Sequence, residues 1–340
     1  MTRQPRTRPT LEEVAAAAGV GRGTASRVIN GSAKVSDKAR QAVEGAIADL
    51  GYVPNQAART LVTQRTDAVA LVIAESEERV FGEPFFAGVV RGIGTALSDA
   101  RLQLVLLLAH TAHRNGRLDD YLTRQHVDGV LLLSLHDDDT LPERIRARGL
   151  PVVLGGRATE RQQGAYVDAD NALGARLAVD HLVHRGRRLI ATIAGPADMV
   201  VGRTRHEGYL AGLEAAGLPA TEELVVRGDF SQDSGESSMR VLLSRRPDLD
   251  AVFCANDLMA AGALRVLREA GLEVPLDVSV VGFDDAPLAQ STHPPLTTVH
   301  QSPEQMGREM VAMLLDTMRH PDEPAAPRLL ETRLVVRESS

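Results

Sequence analysis

From residue 67 onward the chain alternates short apolar runs with amphipathic stretches of helical period, a pattern few architectures accept. The runs cover 68–74, 102–109, 129–135, 151–155, 189–195, 224–230, 251–255 and 278–283, and a last strand is expected over 329–337. Helices fit between most of them, for example over 171–184 and 257–270. Strands alternating with helices mean α/β architecture with parallel sheets. So many strands would make one very wide sheet. Two lobes of doubly wound sheet are expected instead, with a ligand crevice at the strand C-termini.

The first 66 residues follow a different pattern. Thr10-Leu11-Glu12-Glu13 is a capping box, so a helix should begin at Leu11, run through the alanines to Ala18 and stop at Gly19. A second helix is expected over 22–30, with Ala25, Val28 and Ile29 as its apolar face. A third starts after Ser36 and continues to Leu50, with Ala39, Val43, Ala46, Ile47 and Leu50 as a core stripe. Two short helices across a glycine turn, then a supporting helix, make a helix-turn-helix. Gly19-Val20-Gly21-Arg22-Gly23 superficially suggests a phosphate cradle, but that motif follows a strand, and here a capped helix precedes it.

Charge divides at the same place. Residues 1–66 hold ten Lys or Arg against five Asp or Glu, a surplus of five positive charges; the whole chain is −7, so the remainder carries −12. A basic head on an acidic body suits DNA binding by one end. No apolar run reaches membrane-spanning length, and the basic N-terminus lacks a secretory apolar stretch, so a cytoplasmic address is expected and no membrane partner. One cysteine, Cys254, excludes a disulfide framework and reads as core packing. His181 and His184 lack a third ligand for zinc, and no nucleophile–base pair or P-loop appears, so no metal, cofactor or enzymatic activity is expected. The acidic run 137–139 reads as a solvated loop capping the next helix.

The stretch TLEEVAAAAGVGRGTASRVINGSAKVSDKARQAVEGAIADLGYVPNQAARTL resembles, along its whole length, the DNA-binding head of lactose-repressor family regulators. The resemblance implies that the second helix enters the major groove, with Arg22, Gly23 and Arg27 at the base-reading positions. An arginine fork matches guanine O6 and N7, a contact worth roughly 1–3 kcal/mol of discrimination. Gly23 carries no side chain to read with, and leaves Arg22 to do most of the reading. A phosphate contact or a solvated face is the other reading of both arginines. The same resemblance makes Thr10, Thr24, Ser36, Tyr52 and Asn55 phosphate-positioning groups, while Gly21 stands where many relatives carry a serine. Residues 54–61 match the family's hinge helix, which forms in the minor groove when a dimer holds two copies together. Leu61 takes the place of the wedge that unstacks the central base step. The expected domains are 1–53 for DNA, 54–66 for hinge and linker, and 67–340 for effector binding and dimerisation.

In the body the resemblance is to the periplasmic sugar-binding fold that these repressors share. Three of the six Phe, namely Phe81, Phe85 and Phe86, follow the first strand and suit either ring platforms for a sugar or ordinary packing. Arg205 matches the arginine that holds sugar hydroxyls in the family, and Gln301, after LTTVH, matches a position that contacts ligand or joins the lobes. Phe230 closes the run 224–230. Asn256 and Asp257 end VFCAND; Asp284 and Asp285 end VVGFDD. Ligand contact is expected for Asn256 and Asp284 and helix capping for Asp257, with Asp285 open. Arg157 and Asp168 are candidates from the first lobe's edge.

GVGRGTASRVING, LVTQRTDAVALV, FGEPFFAGVVRGIG, QHVDGVLLLSLH and IAGPADMV further resemble the cellobiose-responsive repressors of high-GC bacteria. That implies a repressor released from a GC-rich palindromic operator by cellobiose or a cello-oligosaccharide, controlling carbohydrate-utilisation genes. Another glucoside, or a corepressor such as a purine, is the alternative. With no terminal leucine heptads, a homodimer on double-stranded DNA is expected, not a tetramer.

Overall fold

The computed structural model describes residues 9–29, 32, 34–53, 65–109, 117–137, 139–157, 159 and 164–340. The chain forms two units, Met1–Thr66 and Asp67–Ser340. The expected hinge helix over 54–61, with Asn55 and Leu61, lies outside the described residues.

The first unit holds α1 (Leu11–Ala17), α2 (Arg22–Ile29) and α3 (Asp37–Leu50). Thr10 caps α1 reciprocally: its hydroxyl accepts from the Glu13 amide at 3.3 Å, and the Glu13 carboxylate accepts from the Thr10 amide at 2.7 Å. Gly19, at φ 63°, supplies the left-handed residue that turns the chain after α1. Val14, Ala15, Ala25, Val28, Val43 and Ala46 form the shared core. Leu50, expected in the core stripe, is 37% exposed, because α3 has already passed the two shorter helices.

The second unit contains two six-stranded sheets. The first has the order β11-β5-β4-β3-β1-β2, built from β1 (Ala68–Ile73), β2 (Gln103–Leu108), β3 (Gly129–Leu133), β4 (Val152–Gly155), β5 (Tyr166–Ala169) and β11 (Arg328–Leu330). The second has the order β12-β10-β9-β8-β6-β7, built from β6 (Ile190–Ala194), β7 (Val225–Arg227), β8 (Ala251–Cys254), β9 (Ser279–Asp284), β10 (Thr297–His300) and β12 (Arg333–Val335). Every pairing is parallel except β10 with β12. The order reverses beside β1 and beside β6, as doubly wound sheets require.

The strand expected over 329–337 is two strands in two sheets: β11 pairs with β5, and after Glu331 and Thr332 β12 pairs with β10. One short apolar segment thus closes both lobes. The run expected over 224–230 yields only β7, after a 3₁₀ turn at Glu222–Leu224, and its end leaves the sheet with Phe230 at φ 72°. The chain also crosses between lobes after β5 and after β10, where helix Pro303–Arg319 returns to the first lobe. That helix lies backbone to backbone on helix Pro84–Asp99: a Cβ on Gly92 would sit 2.0 Å from the Glu304 carbonyl oxygen, and one on Gly307 would sit 2.3 Å from that of Val89.

Candidate functional site

Between the two lobes, at the C-terminal ends of β3, β4, β5 and β9, lies a cavity lined by residues of both. Ser134, Phe230 and Asp284, at φ 61°, 72° and 113°, follow or end strands here and line it. Left-handed backbone at non-glycine residues is strained, and such strain concentrates at ligand sites.

Eight of the ten expected effector residues line the cavity: Phe85, Phe86, Arg157, Asp168, Arg205, Phe230, Asp284 and Gln301. Their polar groups form one chain of contacts. Gln301 Nε2 donates to Asp284 Oδ1 at 2.6 Å, and Arg205 Nη1 reaches the same oxygen at 3.4 Å. Arg205 also donates from Nε to Asn171 Oδ1 at 2.9 Å and from Nη1 to the Ala255 carbonyl at 2.5 Å. Asn171 donates to Asp168 Oδ1 at 3.0 Å, and Arg157 Nε donates to Asp168 Oδ2 at 3.1 Å. Arg157 Nη2 then crosses to the Thr204 hydroxyl at 3.4 Å. The Arg205 guanidinium rests 3.6 Å from the Phe283 ring centroid, so its plane is set by packing as well as by hydrogen bonds. Burial pushes the Asp284 and Asp168 carboxyls above their ordinary range, against the pull of Arg205 and Arg157 respectively.

Two expected residues stand elsewhere. Phe81 is 75% exposed and off the cavity, because it lies on the outer side of the short helix Glu77–Gly82. Asn256 is buried as the N-cap of helix Asp257–Glu269: its Oδ1 accepts from the Met259 amide at 2.9 Å, and its Nδ2 donates to the Phe230 carbonyl at 2.8 Å. Capping, expected of Asp257, therefore falls to its neighbour. Asp257 instead accepts from the Thr298 hydroxyl at 2.5 Å and the Ala286 amide at 2.7 Å. Asp285 turns from the cavity to Arg337 at 2.5 Å and His300 at 3.0 Å.

A second cluster was not anticipated. Oε1 of Glu75, two residues past β1, accepts from Arg79 Nη1 at 2.5 Å and the Ser134 hydroxyl at 2.6 Å, with His136 Nε2 at 3.4 Å. Burial works against its ionisation, but His136, Arg79 and Ser134 hold Glu75 below the usual carboxylate range. Arg79 Nε also donates to Glu83 Oε2 at 3.1 Å. The other ring nitrogen of His136 pairs with Asp198 of the second lobe. Asp137, expected in a solvated loop, instead takes a two-pronged bond from Arg203 at 2.8 and 2.9 Å, while Asp139 accepts from the Leu141 amide at the start of the next helix. Glu75, Ser134 and His136 sit just past strand ends, and that position was the signal available in the sequence. Asn171 opens the helix that follows β5, a strand of four residues that carries Asp168.

In the first unit, Arg22, Gly23 and Arg27 lie exposed on α2, and Arg22 Nε pairs with Glu12 at 2.9 Å. A Cβ on Gly23 would meet only Arg27 Nη2, at 3.9 Å, so nothing in the described head requires glycine there. The Thr10 and Ser36 hydroxyls cap α1 and α3, Thr24 is half-buried, and Tyr52 packs on the head's core. Among the described residues, no three His, Cys, Asp or Glu gather as a metal site, and no helix is long and apolar enough to cross a membrane. Cys254 is fully buried, and burial pushes its thiol up.

Residues 10–55 match the family described as bacterial regulatory proteins, lacI family, and residues 179–340 match a periplasmic binding protein-like domain. Over 336 residues the chain is 55% identical to the HTH-type transcriptional regulator CelR of Thermobifida fusca, covering 98% of this chain and 99% of that one. A solved transcriptional regulator CelR–cellobiose complex is 52% identical with a TM-score of 0.77, over 98% of this chain and 100% of that one. The lac repressor dimer bound to operator and the anti-inducer ONPF is 29% identical with a TM-score of 0.85, over 98% and 99%.

Proposed function

Because the chain belongs to the lacI family of bacterial regulatory proteins, we propose that it is a DNA-binding transcriptional repressor released from its operator by a sugar, cellobiose or a short cello-oligosaccharide. Residues 1–53 read the operator, 54–66 form the hinge, and 67–340 bind effector and hold the homodimer. Arg22 and Arg27 face the major groove, with Thr10, Thr24, Ser36, Tyr52 and Asn55 towards phosphates and Leu61 in the minor groove. The operator is a GC-rich palindrome near carbohydrate-utilisation genes, and the protein acts in the cytoplasm.

The observation that carries this reading is the cavity itself. Arginine forks and carboxylates held by buried partners stand beside Phe85, Phe86 and Phe230, which suits a ligand with hydroxyl edges and apolar faces. Each lining arginine is already paired with a carboxylate, which favours an uncharged ligand over an anion. These pairs serve recognition, and we read the chain as a regulator and not an enzyme. Effector and operator stabilise different arrangements of the lobes, so each weakens the other by the same factor, typically 1–3 kcal/mol.

Fluorescence anisotropy on a labelled palindromic operator at fixed salt tests the reading, with cellobiose, maltose, lactose and glucose as titrants. Release by cellobiose is expected. Tighter binding with a sugar or a purine would reverse the sign of the coupling, and no DNA binding under any condition would sink the reading of the head.

A further inference from the structure

The cavity contains three arginine–carboxylate pairs, and in the Arg157–Asp168 pair both carboxylate oxygens are taken; the other two, one from each lobe, keep a free edge. In the second lobe, Arg205 spends Nε on Asn171 and Nη1 on Ala255 and Asp284, while Asp284 spends Oδ1 on Gln301 and Arg205. In the first lobe, Arg79 spends Nε on Glu83 and Nη1 on Glu75, with the Met199 sulfur 3.9 Å away, while Glu83 spends Oε2 on Arg79. Each pair therefore leaves one guanidinium nitrogen and one carboxyl oxygen without a protein hydrogen bond among the described residues: Nη2 of Arg79 with Oε1 of Glu83, and Nη2 of Arg205 with Oδ2 of Asp284. None of the four is among the buried polar atoms left unsatisfied, so all remain reachable, and the residues that carry them line the cavity.

Both guanidiniums are also held against rings. Arg205 lies 3.6 Å from the Phe283 centroid; Arg79 lies 5.1 Å from that of Phe230 and 6.0 Å from that of Phe86. Arg79 is fixed further from behind, because Glu75 is gripped by Ser134 and His136. A donor and acceptor fixed side by side, beside an aromatic face, make a hydroxyl-reading site for one sugar ring. The cleft has two.

We propose that Arg79 and Glu83 form a second sugar-ring subsite, opposite the Arg205–Asp284 pair, that makes this cleft select a two-ring uncharged saccharide over a single ring. The inference rests on the reading of the cleft as a sugar site. It adds to that reading two specificity residues in the first lobe. One ring is held by the second-lobe pair, its neighbour by the first-lobe pair, with Phe86 and Phe230 beside the latter.

Isothermal titration of the full-length protein with cellobiose and with glucose tests it, comparing wild type, Arg79→Met and Glu83→Gln. Wild type should bind cellobiose far more tightly than glucose. Arg79→Met should weaken cellobiose by about 10- to 100-fold, the loss of charged hydrogen bonds, while changing glucose affinity less than about 3-fold. Arg79→Met leaves Glu75 and Glu83 without their cation, so a thermal melt must show that it folds. If it does not, the near-isosteric Glu83→Gln decides, with the same selective loss expected. Equal losses for both sugars, or none, overturn the subsite. If wild type binds maltose or lactose instead of cellobiose, the proposed effector falls, and the same comparison is made between that disaccharide and glucose. Binding of no sugar overturns both.

Discussion

Nδ1 of His136, from the first lobe, lies 2.7 Å from Oδ2 of Asp198, from the second. Beside it the Asp137 amide donates to the Asp198 carbonyl at 2.9 Å, and Arg203 grips the Asp137 carboxylate. The lobes are thus latched at the loop leading into helix Val200–Ala216, which also carries Arg205. The neighbouring acids raise the His136 pKa to about 9. Glu75, though 3.4 Å away, contributes more than Asp198, because Glu75 is buried and the Asp198 side chain is 60% exposed.

A folded-state pKa above the ordinary 6.5 stabilises fully below pH 6.5 and loses its effect as pH rises through 9. Urea unfolding of wild type should therefore lose about 1–2 kcal/mol between pH 6.5 and 9, allowing for the solvent around Asp198. His136→Gln should flatten that window. An unchanged slope in the variant would refute the latch.

Glu83 titrates in a lower window. Burial raises its pKa to about 7, Arg79 opposes the rise and Asp284 adds to it. Stability from its protonated form is complete below 4.5 and lost as pH climbs through 7. We expect wild type to lose about 2–3 kcal/mol across that window relative to Glu83→Gln, measured by the same unfolding series.

Gly23 separates folding from reading. Alanine there meets only the tip of Arg27 and gains helix propensity, so the head should be unchanged or stabilised by about 0.5–1 kcal/mol. Arg22→Ala should leave stability alone, since its pair with Glu12 is exposed, while costing roughly 1–3 kcal/mol of discrimination between the operator and a base-substituted copy. Melting of the head and competition anisotropy read the two effects apart.

Gly92→Ala tests the first lobe. The added Cβ would press on the Glu304 backbone, which cannot rotate away as a side chain would. A loss of about 1–3 kcal/mol or more is expected by thermal unfolding, with helix Pro303–Arg319 displaced. A neutral result would mean that the two helices slide apart at little cost.

The three helices of the head were legible because their determinants are local. The Thr10–Glu13 box, the Gly19 turn and the Ser36 cap act over a few residues, and their chemistry is written consecutively. The long strands β1, β3 and β9 were legible for a related reason: an apolar run between helices has few other fates. Short strands were less so. β5 carries Asp168 in its middle, and residues 329–337 read as one strand although Leu330 and Leu334 belong to different sheets.

Among the cleft residues, Asp284 and Gln301 are legible from their places at strand ends, and Phe85, Phe86 and Arg205 from position and resemblance. The packing of the whole chain sets what each one touches. It turned Phe81 outward on a six-residue helix, gave the cap to Asn256, and withdrew Asp257 and Asp285 into the second lobe. It also brought Arg79 to Glu75 and Glu83, and His136 to a carboxylate 62 residues away. Caps and periodicity depend on contacts within a turn or two. An ion pair across a cleft depends on where two independently folded sheets come to rest, and no local pattern encodes that distance.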